Sequence, residues 1–129
     1  MTHNEIGTHV VDCAVSLHME TGPGLLETVY EVVLAHDLQT RGLGVERQVP
    51  MPIGLRDVKF DEGFRADMIV EGKVLLELKS VESVTKAHKK QVLTYLRLTG
   101  LKLGYLLNFG EGASERGHDE RRNHTRHQR

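Results

Sequence analysis

The chain has 129 residues, 39% of them apolar and 13 of them glycine, which suits one globular domain and leaves little room for two. Seventeen Lys and Arg against 18 Asp and Glu give a net charge of −1, so a protein gripping phosphates by bulk positive charge is disfavoured, although a local basic face stays open. No apolar run approaches the roughly 18 residues of a membrane span, nothing at Met1-Thr2-His3-Asn4 reads as a secretory leader, and one cysteine, Cys13, excludes an internal disulfide and a Cys-based zinc cluster. A reduced, cytoplasmic protein with no membrane partner is expected.

In chain order, Ile6, Val10, Ala14 and Leu17 recur at helical spacing and predict a helix over 6–19. Gly22-Pro23-Gly24 breaks it. Leu26, Val29, Tyr30, Val33, Leu34 and Leu38 predict a second helix closed by Gly42, forming either a helical hairpin or one long kinked helix with the first. Residues 45–53 read as extended, with Pro50 and Pro52 suggesting a sheet edge, and 56–63 as a polar connection. Two strands follow, 64–70 and 74–81, around a turn at Glu71-Gly72-Lys73. Thr85 is a candidate N-cap for a helix to Leu98, stopped by Gly100, and 101–109 is apolar enough for a buried final strand. Residues 111–129 contain no Ile, Leu, Val, Met, Phe, Tyr or Trp. They are expected to form a disordered charged tail, with His118, His124 and His127 solvated rather than ligating. The folded domain is then 1–110, of class α/β, with a mixed sheet flanked by helices.

Register carries the chemistry. Phe64, Ala66, Met68 and Val70 share one face of the first strand of the hairpin, and Val74, Leu76 and Leu78 share one face of the second. Both sets reach one core if Val70 faces Val74 across the three-residue turn. Asp67 then lies opposite Glu77, and Lys79 opposite Arg65. Directly opposed carboxylates sit about 5 Å apart at Cβ and repel. A proton, the neighbouring Arg65 and Lys79, or a bridging divalent cation could neutralise them. Two hard oxygen donors suit Mg²⁺ or Mn²⁺, and Lys79 points into the same space as an attacking water.

Other residues carry weaker signals. Glu27 stands beside the Gly-Pro-Gly break, where a helix N-terminus favours an acid in any case. His88, Gln91 and Tyr95 line one helical face. Lys86, Lys89 and Lys90 make a modest basic cluster that, with His88, suits phosphate contacts. Cys13 has no activating partner, and packing in the first helix accounts for it.

Gly24-Leu25-Leu26-Glu27-Thr28-Val29-Tyr30 reads as Gly-x-x-Glu-x-x-Tyr. With Arg65-Ala66-Asp67, Glu77-Leu78-Lys79 and His88-x-x-Gln91-x-x-x-Tyr95, it resembles the GxxExxY family of the PD-(D/E)XK nuclease superfamily over residues 5–109. The resemblance implies a restriction-endonuclease-like αβββαβ core, which agrees with the order read from the residues. It also implies Asp67 and Glu77 as metal-binding acids, Lys79 as the lysine that positions water, Glu27 as the acid of the first core helix, and Gln91 as the glutamine after the Glu-x-Lys strand. The Leu78 carbonyl joins the metal set. His18, His88 and Tyr30 match family-type positions without an assigned role. Relatives of this kind continue past the last strand with more apolar sequence, which leaves the final edge element and a homodimer open. The expected activity is Mg²⁺- or Mn²⁺-dependent phosphodiester hydrolysis, with DNA as partner. The alternative is a non-catalytic nucleic-acid- or protein-binding module that keeps the nuclease fold, and the third reading is a structural charge cluster.

Overall fold

A computed structural model describes residues 1–111 and 124–128, with the backbone alone at 53–55 and 59–63. The chain begins with two separate helices, α1 (His3–Thr21) and α2 (Glu27–Thr40), not one kinked helix. The Thr2 side chain caps α1 by accepting from the Glu5 N–H. The break between the helices is fixed by Tyr30, whose hydroxyl donates to the Gly22 carbonyl (2.6 Å) and accepts from the Leu25 N–H (3.3 Å). Gly24 at φ +109 takes a backbone conformation that a side chain would resist. The Gly-x-x-Glu-x-x-Tyr segment is thus a self-locking helix start. At the other end of α2, Leu43 N–H bonds the Leu38 carbonyl and Gly42 N–H the Gln39 carbonyl, a Schellman closure.

Five strands follow: β1 (Val45–Leu55), β2 (Val58–Val70), β3 (Val74–Lys79), β4 (Leu103–Asn108) and β5 (His124–Gln128). They form one sheet in the order β1-β2-β3-β4-β5. Helix α3 (Lys86–Thr99) makes the crossover that lets β3 and β4 run parallel, while every other pair is antiparallel. Thr85 and His88 form a capping box at its start and Gly100 ends it in the left-handed region. Val70 pairs with Val74 as the turn arithmetic required, and β1 is an edge strand as its prolines suggested.

Three expectations are corrected. Residues 56–63 are not a connection: only Arg56 and Asp57 turn the chain, Arg56 at φ +57, and β2 begins at Val58. The polar stretch passed for a loop because it pairs only with β1. The tail residues His124–Gln128 are not disordered, since they pair with β4 and supply the last edge. Backbone ladder bonds need no apolar side chains, which is why composition missed it. His118 lies outside the described residues.

The third correction concerns faces. Met68 and Val70 pack with Val74, Leu76 and Leu78 against α1 and α2. Phe64 and Ala66 instead join Ile69, Leu75, Val92, Leu96 and Leu106 on the α3 side. β1 behaves alike, with Val45 on the first cluster and Val49 and Met51 on the second. Both strands turn over at Gln48 and Asp67, where Gln48 adopts φ +51. The ladder on either side, Arg47–Met68 and Val49–Ala66, stays in register.

Candidate active site

The β2–β3 ladder ends at Met68–Leu76, and Asp67 and Glu77 are the next residues out. Asp67 Oδ2 accepts from the Leu78 N–H at 2.8 Å, and Glu77 Oε1 lies 3.4 Å from the Asp67 N–H. Each acid is therefore tied to the other strand's backbone, and the two side chains are interlocked. Glu77 is only 7% exposed. Burial first, and then the negative charge of Asp67, push its carboxyl up to about 7. Burial also raises Asp67, opposed by the Leu78 N–H, with Glu31 raising and Lys79 lowering it further.

Lys79 ends β3 half-buried, and its positive charge acts on both acids. Its carbonyl accepts from Phe109 N–H, while Asn108 clasps Val81 by both amide atoms, so the chain leaving β3 is held on β4. Glu27, at the start of α2, accepts from the Ser80 N–H at 3.3 Å and so sits over the same strand end. Gln91 donates through Nε2 to the Tyr95 hydroxyl at 2.6 Å. Burial raises the Tyr95 phenol, the Gln91 bond lowers it, and the charges of Glu77 and Asp67 raise it again. Tyr95 stacks on Phe64 with ring centroids 3.7 Å apart. Glu27, Asp67, Glu77 and Lys79 thus stand at one end of β3, while Gln91 is bonded to Tyr95 on α3.

Other candidates fall elsewhere. His88 spends Nδ1 on the Thr85 N–H in the capping box. Lys86, Lys89 and Lys90 are exposed on the first turns of α3. His18 is buried against Phe109 and His124, with Nε2 on the Glu111 carbonyl, and Tyr30 stacks on Phe109 at 4.4 Å. Cys13 is buried in the core.

Sequence reasoning missed Glu31. It lies one helical turn after Glu27, is 4% exposed, and accepts from Arg47 Nε (2.9 Å) and Nη2 (2.6 Å) and from Gln48 Nε2 (2.6 Å). The i, i+4 spacing from Glu27 was the available signal.

Among the described residues no three His, Cys, Asp or Glu side chains converge as a ready-made metal cage. The donor chemistry nevertheless fits a hard divalent ion. Among those residues neither Asp67 nor Glu77 makes an ion pair, and a buried carboxylate without a counter-charge is costly. Mg²⁺ binds through one or two carboxylates and keeps its waters, so a pair is enough. Among the described residues no helix is long and apolar enough to cross a membrane. The family model of the PD-(D/E)XK nuclease superfamily matches residues 4–121, while no curated protein and no solved structure matches. With the mixed sheet, the interlocked acids and the adjoining lysine already in place, that match assigns the chain to the PD-(D/E)XK nuclease superfamily.

Proposed function

We propose that the chain is a metal-dependent nuclease of the GxxExxY type that hydrolyses phosphodiester bonds in DNA. The observation that supports this reading is the interlocked pair of buried Glu77 and half-buried Asp67, each bonded to the other strand's backbone, with Lys79 two residues along β3. Asp67, Glu77 and the Leu78 carbonyl would hold Mg²⁺ or Mn²⁺, and Glu27 would support the ion through water. When bound, the cation supplies Lewis acidity toward the phosphate and a lowered pKa for coordinated water. Lys79 orients the nucleophilic water and stabilises charge on the transition-state phosphate. Gln91 donates its amide N–H to Tyr95, and its Oε1 is the atom assigned to hold Lys79 or the water.

Lys86, Lys89 and Lys90 take the role of backbone-phosphate contacts. Three cations in the first turns of a helix, with no acid there, oppose the helix dipole. A polyanionic partner offsets that cost. With few such contacts on a near-neutral chain, binding is weak and strongly salt-dependent. A second copy of the chain belongs to the same reading. Leu26 at the N-cap of α2 and Val29, Val32 and Val33 along it are exposed and uncharged, of the kind that marks an interaction surface; light scattering tests it, with a monomer at all concentrations as the contrary result.

The decisive experiment is a cleavage panel over duplex, single-stranded and branched DNA and RNA with Mg²⁺ and Mn²⁺. Asp67→Ala, Glu77→Ala and Lys79→Ala are each expected to abolish turnover with the fold retained. Turnover unchanged in those variants refutes the assignment. Absence of turnover with binding that survives Glu77→Ala makes the chain a binding module instead.

A further inference from the structure

In a regular strand consecutive side chains point to opposite faces. Arg47 and Gln48 are consecutive in β1, yet both reach the same Glu31 carboxylate. They can do so only because Gln48 sits at φ +51, a region that non-glycine residues enter at a cost. Opposite Gln48 in the register is Asp67, and these two are missing from a ladder that is paired on both sides of them. At this point both strands also exchange the layer they pack on. The freed Asp67 is the residue whose carboxylate crosses to the Leu78 N–H.

From this geometry we infer that Glu31 is a positioning residue: by clamping Arg47 and Gln48 it holds the left-handed kink that releases Asp67 from the β1–β2 ladder and seats it against β3. Glu31 is not itself a metal ligand, because Oε2 is taken by two guanidinium bonds and Oε1 by the Gln48 amide. Its charge is matched by Arg47 at 2.6 Å. The benefit to catalysis rests on the proposed metal role of Asp67; the seating of Asp67 does not.

The test therefore reads the apoprotein first. Amide hydrogen exchange at Leu78, with Leu76 on the same strand as internal reference, reports the bond to Asp67. Gln48→Val introduces a β-branched residue that refuses positive φ, and Glu31→Gln weakens the clamp. Each is expected to lower Leu78 protection about tenfold relative to Leu76 and to shrink the rise in thermal midpoint that Mn²⁺ gives the native protein. Gln48→Gly, which takes the kink freely, is expected to keep Leu78 protected. It is also expected to restore protection in the Glu31→Gln/Gln48→Gly double variant. Full Leu78 protection in Gln48→Val, or no recovery in the double variant, overturns the inference. If the exchange pattern holds but Mn²⁺ leaves the native midpoint unmoved, the metal reading fails while the positioning of Asp67 stands. Should Glu31→Gln not fold, the Gln48→Val and Gln48→Gly pair decides alone, since Gln48 is exposed.

Discussion

Glu77 ionises against burial and against the neighbouring charge of Asp67, and its carboxyl is pushed from 4.5 up to about 7. In the unfolded chain the same group loses its proton near 4.5. Between those values the native state holds the extra proton, so stability falls as pH rises and levels off above about 7. A shift of that size corresponds to on the order of 3 kcal/mol. Chemical denaturation of the apoprotein is expected to give lower stability at pH 8 than at pH 5, and Glu77→Gln is expected to remove most of that slope. On the proposed metal role of Glu77, Mn²⁺ would compete with the proton, and its stabilising effect is expected to grow across the same interval. Tyr30 offers a contrasting residue-scale case. Tyr30→Phe keeps the stack on Phe109 but leaves the Gly22 carbonyl and Leu25 N–H without their shared partner. A loss of about 1 kcal/mol is expected in urea titration, with Mn²⁺ response retained.

Helix α3 carries both a capped start and the three lysines proposed to meet phosphate. Thr85→Ala deletes the N-cap and should cost about 1 kcal/mol, read from thermal unfolding. Replacing Lys86, Lys89 and Lys90 together by Gln should not cost helix stability, because the dipole disfavours cations there. It should weaken DNA binding alike for all sequences and flatten the slope of log affinity against log salt; an unchanged slope removes these lysines from the interface. Legibility differed sharply between elements. The ends of α3 were readable because Thr85 and Gly100 act within a few residues of themselves, whereas the part of His88 in the capping box was not read. The Val70–Val74 pairing was readable because a three-residue turn leaves one register, whereas the period of two that placed Asp67 on a face with Arg65 and Ile69 breaks at Asp67 itself, where β2 changes layers. The β1–β2 turn was not readable, since Arg56-Asp57 lacks the usual glycine. The kink at Gln48 was invisible because it is held by Glu31, seventeen positions away on another element. Glu31 itself looked like one more helix acid until its partners arrived from β1.

On the scale of the whole molecule, β5 changes what the sheet exposes. Without it β4 would present a row of unpaired backbone groups, a template for association. Alternate residues of an edge strand aim their N–H groups inward and outward, so proline at Thr125 and at Arg126 should differ. One of Thr125→Pro and Arg126→Pro is expected to lower the thermal midpoint and promote self-association, and the other to do far less; equal and negligible effects would mean that β5 does not protect the edge. Seen together, the strands are also unequal: β1 and β2 run for 11 and 13 residues, whereas β3 has six. Outward from Met51 and Phe64 the ribbon therefore has no third strand, and two strands alone are marginal in water. The Phe64–Tyr95 stack is the rivet at its base. Such an arm can breathe on its own clock while the floor bearing the acids stays shut, and a protease specific for basic residues should nick the tip at Arg56 long before the body of the molecule yields.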